Sequence, residues 1–183
     1  TVELTVSDDS ANYAGYETHK MYAGGNYAYC VQPSKKTPQS GTYEKHYDVE
    51  NYVSNAGDET QALQSRNLAY YCWGAPGFNA SYFPSTWYDG SAMDDDKYIA
   101  LSHIMLSFLV SYDEVGSMHG CNSSFKNWVY QNVLGYNANG DLVNGQATLP
   151  ILCWATAPAS FKVYILSTGS ATQNILGYEY TPT

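Results

Sequence analysis

The chain has 183 residues, 44% of them apolar, which suits one domain with a sizeable core. A formal charge of −9 argues against a nucleic-acid partner, which needs a basic face, and equally against an anionic membrane surface. Tyrosine is over-used, with 19 copies against only 14% charged residues. That bias fits a β-rich core and hairpin surface better than a dedicated sugar- or protein-binding face.

In chain order, Val2-Glu3-Leu4-Thr5-Val6 alternates with period two, and Asn26 to Gln32 is an aromatic and apolar run that enters a loop at Pro33. Both are strand-and-turn signals within a β-rich stretch over 1–58. Asp58-Glu59 then precedes a helix-compatible run from Thr60 to Tyr71, stopped at Gly74-Ala75-Pro76-Gly77. The acidic cluster Asp94-Asp95-Asp96 opens a second helix that runs to about Val110. It is apolar on most faces and so predicted buried, and its apolar part, Tyr98 to Val110, is too short to span a bilayer. A third helix is expected from Phe125 to Leu134, with Phe125, Trp128, Val129 and Val133 on one face, Ser123 as its cap and Gly135 at its end. Pro150 to Trp154, Phe161 to Leu166 and Asn174 to Tyr180 read as strands. This order predicts an α+β fold, a β-sandwich or half-barrel with a helical subdomain inserted at about 59–135. One domain spans 1–183, and the abrupt finish at Tyr180-Thr181-Pro182-Thr183 reads as a junction to further domains of a longer surface protein.

Cys30, Cys72, Cys121 and Cys153 form no close C-x-x-C pair, and no histidine is spaced near them as a ligand. No zinc site is expected, and no other metal or cofactor. Two disulfides would allow three connectivities, and the spacing selects none. Cys121 and Cys153 read as isolated core thiols rather than a pair. Asn137-Ala138-Asn139-Gly140-Asp141 lacks the downstream Glu of a calcium loop and reads as a plain hairpin turn.

Two segments carry chemistry: Tyr29-Cys30-Val31-Gln32 and Gln173-Asn174-Ile175-Leu176. A cysteine sulfur held against a glutamine carboxamide can displace ammonia and form an internal thioester. Proximity can replace a catalyst, because well-oriented groups reach effective molarities on the order of 10⁵ M or more. Both segments read as β near opposite ends of the chain, so adjacent strands could join them, with Val31, Ile175 and Leu176 alternating into a core. Tyr27 and Tyr29 are candidates to shield the bond from water. An attacking lysine must be neutral, against a reference pKa of about 10.4. Taken alone, the residues favour a plainer reading, a buried apolar cysteine and a glutamine bonding a strand edge.

Context changes that balance. Ala28 to Pro38 around the cysteine, Leu68 to Gly77 at the end of the first helix, Ser102-His103-Ile104-Met105-Leu106-Ser107 in the second, and the Gln173 segment occur in this order. Together they resemble the internal thioester domains at the tips of Gram-positive surface adhesins and pili. Each short motif is weak; the ordered set covers most of the chain and is more specific. His103 stands where many relatives carry Gln, Thr172 where an apolar residue is more usual, and Cys72 where Gly is common. The resemblance implies a Cys30–Gln173 thioester in a covalent adhesin on an extracellular, cell-wall-anchored protein, with no membrane insertion of this domain. The thioester would react once with an amine, a lysine or a polyamine, of an extracellular host protein or neighbouring molecule, leaving an amide and a free Cys30 thiol without turnover. Tyr29 and His103 are the supporting candidates, His103 as a base or as a buried residue donating to a backbone carbonyl. Rival readings are a non-covalent protein- or carbohydrate-binding module, with the thioester absent or only structural, and a Cys/His hydrolase using Cys30 with His46 or His103.

Overall fold

The computed structural model describes residues 1–111, 118 and 120–182, apart from the side chain of Tyr13. The strands are β1 (Val2–Tyr13), β2 (Tyr16–Ala23), β3 (Asn26–Cys30), β4 (Gly41–Tyr43), β5 (Lys45–His46), β6 (Phe161–Leu166) and β7 (Ile175–Tyr180). They form one seven-stranded sheet in the order β4-β1-β2-β3-β7-β6-β5, and every pairing is antiparallel. β4 and β5 occupy opposite edges of this sheet, yet only Glu44 separates them in the chain. Consecutive Cα atoms are about 3.8 Å apart, so the sheet must curl until its edges meet. The half-barrel alternative therefore describes the architecture, and a two-sheet sandwich does not.

Curling divides the apolar residues into two cores. Val2, Leu4, Met21, Ala23, Ala28, Cys30, Tyr164, Leu166 and Ile175, drawn from five strands, fill the inside. Their odd-even partners, including Tyr27, Tyr29, Val31, Ile165 and Leu176, point outward into a larger core shared with the helices. Period-two alternation thus assigns the β3 residues from Tyr27 to Cys30 to one core or the other in turn.

The helices lie between β5 and β6. Asp58 caps α1 (Glu59–Tyr70) by accepting the Gln61 N–H at 3.0 Å. α2 (Asp95–Ser111) is buried along most of its length, as its composition requires. α3 (Ser123–Val129) is capped by Asn122 rather than Ser123, whose place is the first turn. At Tyr130 the helix widens into a π turn through Leu134, closed by a 2.9 Å bond from Gly135 N–H to the Tyr130 carbonyl, with Gly135 at φ 72°.

Pro150 to Trp154 is not a strand. α4 (Thr148–Leu152) takes up most of it, with Leu149 and Leu152 buried and Ile151 exposed. That spacing is helical, and Pro150 sits in the first turn, where its missing N–H costs nothing. A short apolar run cannot be assigned by periodicity alone. No helix among the described residues is long and apolar enough to cross a membrane.

Candidate functional site at the β3–β7 seam

β3 and β7 meet in antiparallel register, with Tyr29 opposite Leu176 and Cys30 opposite Ile175. The seam continues past the strand ends. Val31 N–H donates to the Asn174 carbonyl at 3.2 Å, and Asn174 N–H donates to Gln32 Oε1 at 2.8 Å. Gln173 is anchored by its own N–H, which donates to the Lys36 carbonyl at 2.9 Å. Burial keeps alternating here, with Gln173 and Ile175 buried and Asn174 half-buried. Gln173 therefore shares a face with Ile175 and lies diagonally across from Cys30. Such diagonal neighbours sit roughly 7–8 Å apart, within reach of a long side chain. The two residues that the sequence paired across the chain are brought to one face of one seam.

Cys30 is 5% exposed and Gln173 is 7% exposed. Burial pushes the Cys30 thiol up to about 12, partly offset by the Thr18 hydroxyl 3.7 Å from its sulfur. Gln173 Oε1 is the one buried side-chain nitrogen or oxygen among the described residues with no hydrogen-bond partner. A buried orphan acceptor of this kind calls for an explanation.

The support comes from α2. Pairing of β2 with β3 ends at Ala28, so the Cys30 backbone has lost its strand neighbour on that side. Three α2 side chains four residues apart, and so on one helix face, replace it. His103 Nδ1 accepts the Cys30 N–H at 3.1 Å, Ser107 donates to the Cys30 carbonyl at 3.1 Å, and Ser111 donates to the Val31 carbonyl at 2.6 Å.

A backbone N–H only donates, so Nδ1 carries no proton and the neutral ring carries its proton on Nε2. That nitrogen donates to the Tyr27 hydroxyl at 2.9 Å. Burial holds the His103 pKa down to about 3. His103 thus accepts from the backbone rather than donating to a carbonyl, and its one lone pair is already engaged.

Tyr29 turns to the face opposite Cys30. Its hydroxyl donates to the Trp73 carbonyl at 2.6 Å and its ring lies 5.6 Å from that of His103. It braces the histidine and does not cover the sulfur; Tyr27 lies on that same outer side. His46 lies on β5, three strands from β3 in the sheet order.

Sequence reasoning missed Thr18, Ser107 and Ser111. The Ser/His spacing of four on α2 was visible; Thr18 carried no signal. Cys72, Cys121 and Cys153 are buried and unpaired, like Cys30. A cavity of about 610 Å³, walled by Phe108, Tyr130, Tyr136 and Leu149 among others, is lined by neither Cys30 nor Gln173.

Comparison with known proteins agrees with this fold. The N-terminal domain of the Streptococcus pyogenes pilus tip adhesin Cpa superposes with a TM-score of 0.58 at 16% identity, covering 99% of this chain and 94% of that one. The N-terminal thioester domain of a surface protein from Clostridium perfringens, solved as a cysteine-to-alanine mutant, gives 0.56 at 12% identity, with 99% and 100% covered. At these identities the likeness is one of fold. No curated protein sequence matches the chain. The family described as "Thioester domain" matches residues 2–139, a stretch that includes Cys30 and stops short of Gln173. With three quarters of its length matched, the chain belongs to the thioester domain family.

Proposed function

We propose that Cys30 and Gln173 form an internal thioester that captures one amine from another molecule. The observation that carries this reading is the placement of both side chains, buried, on one face of the β3–β7 seam, with Gln173 Oε1 left without a donor. An amide oxygen is a strong acceptor and is costly to bury bare. A thioester carbonyl is a weaker acceptor, so cross-linking reduces the penalty at this atom.

In formation, Cys30 Sγ attacks Gln173 Cδ, and the sulfur proton leaves with the amide nitrogen as ammonia. In capture, a neutral amine attacks the same carbon. The new C–N bond replaces the C–S bond, and the proton lost by nitrogen ends on Cys30. An oxyanion on Oε1 meets no donor, so proximity is the main driver of both steps. The same bareness, with burial, protects the bond from water. One thioester is consumed per molecule, so there is no turnover.

Membership of the family, and the likeness to a pilus tip adhesin and a bacterial surface protein, support an extracellular, cell-wall-anchored adhesin of a Gram-positive bacterium. In this reading 1–183 is one thioester domain of a longer protein, and the partner is a lysine on an extracellular host protein. The test is intact mass before and after methylamine. A mass lower than the sequence by one ammonia, rising by one methylamine, and an unreactive Cys30→Ala variant are expected. A mass equal to the sequence, with Gln173 still an amide in peptide mapping, would sink the reading.

A further inference from the structure

Thr18 stands between the two groups that matter most at this site. Its hydroxyl is 3.7 Å from Cys30 Sγ and 3.4 Å from His103 Nδ1. β1 and β2 slip register between Val6 and Ser10; past the slip Thr18 pairs with Ala11 and is buried. Of the three groups, only Thr18 has a proton to offer once the thioester exists. Nδ1 is unprotonated because it accepts the Cys30 N–H, and an acylated sulfur carries no hydrogen. The Nδ1 lone pair is better engaged at 3.1 Å by the backbone than by the hydroxyl at 3.4 Å. The hydroxyl proton is therefore divided between the His19 carbonyl, 3.4 Å away, and the sulfur, and it turns to the sulfur as negative charge develops there.

Resting on the thioester reading above, we propose that Thr18 is the positioning residue that donates a hydrogen bond to Cys30 Sγ as the sulfur leaves. When an amine attacks Gln173 Cδ, the C–S pair of electrons returns to sulfur inside the barrel. Among the described residues, no other side chain is in hydrogen-bond contact with that atom. A thiolate there is unfavourable, since burial raises the thiol to about 12, and the Thr18 hydroxyl acts in the opposite direction. The donated bond stabilises the developing charge until the proton released by the amine reaches the sulfur. In formation the hydroxyl stabilises the same sulfur as it loses its proton.

The experiment compares wild type, Thr18→Val and Thr18→Ser by intact mass and by the rate of methylamine capture. Valine keeps the shape and removes the hydroxyl; serine keeps the hydroxyl and removes the methyl. The expected result is capture at least tenfold slower in Thr18→Val and near wild type in Thr18→Ser. Equally supportive is a folded Thr18→Val that never loses ammonia while Thr18→Ser does. Should Thr18→Val fail to fold, Thr18→Ala replaces it in the same comparison. Equal rates with and without the hydroxyl, or a serine variant as slow as the valine one, overturn the proposal. A wild-type protein with no thioester overturns instead the function on which it rests.

Discussion

His103 Nδ1 accepts the backbone N–H of Cys30, which fixes the imidazole as a neutral ring at the centre of the fold. Its folded pKa is about 3, depressed by burial. The unfolded chain takes up this proton near pH 6.5. The unfolded state therefore binds more protons between those values, and stability falls as pH drops through that window. The full loss for a shift of this size is roughly 5 kcal/mol. Denaturant midpoints measured from pH 7 to pH 3 should fall more steeply in wild type than in His103→Gln, which has nothing to protonate. Parallel profiles would refute the neutral-ring assignment.

Ser107 and Ser111 perform the same task at different depths, and that predicts an order of effects. The bond from Ser107 to the Cys30 carbonyl is buried, whereas that from Ser111 to the Val31 carbonyl is only part-buried. Ser107→Ala leaves a buried carbonyl bare, at a cost of about 1–3 kcal/mol; at Ser111 water can step in, and the loss should be nearer 0.5–1 kcal/mol. Urea unfolding of the two variants would check the order. Intact mass should show more uncrosslinked chain in Ser107→Ala than in Ser111→Ala.

Much of this arrangement was legible in the sequence, for reasons that differ by element. α1 and α2 announced themselves through acidic residues at their starts, and β6 through an apolar run broken only by Lys162. β2 did not, because Glu17, Thr18, His19 and Lys20 are polar and the register slip beside them breaks any period of two. Thr18 lies just past that slip, so the irregularity hid both the strand and the hydroxyl that lies 3.7 Å from the sulfur. β4 and β5 have three and two residues, too few for a pattern, so closure of the barrel across Glu44 could not be read. Pro150 marked a helix start and was read as part of a strand. Cys30 and Gln173 were paired through family resemblance and not through spacing. Only the register of two strands distant in sequence places them on one face.

Gly177 offers a test of that register from the other side of β7. It pairs with Tyr164, whose ring lies so close that an added Cβ would come within 2.6 Å of the Tyr164 ring carbon Cζ. Tyr164 is 1% exposed and part of the inner core, so its ring can move only by displacing its neighbours. Gly177→Ala should therefore destabilise by about 1–3 kcal/mol through overpacking. Because Gly177 lies two residues from Ile175, the partner of Cys30, the crosslinked fraction should also drop. Combining Gly177→Ala with Tyr164→Leu should restore most of the stability. A double variant no better than the single one would mean that the clash is not the cause.

A thioester between Cys30 and Gln173 would also tie β3 to the start of β7 across most of the chain. In the chain-entropy account, a cross-link closing a loop of more than a hundred residues stabilises by roughly 5 kcal/mol. The seam has its own backbone bonds at Val31 and Asn174, which hold the register once the chain has folded. Methylamine treatment should accordingly lower Tm markedly without unfolding the protein at room temperature. Treated wild type should then melt close to Cys30→Ala. The comparison is informative because methylamine leaves the Cys30 side chain in place and removes only the covalent tie. A treated protein that has gained the methylamine mass yet melts unchanged would show that β3–β7 packing alone sets the stability, and that the bond serves capture only.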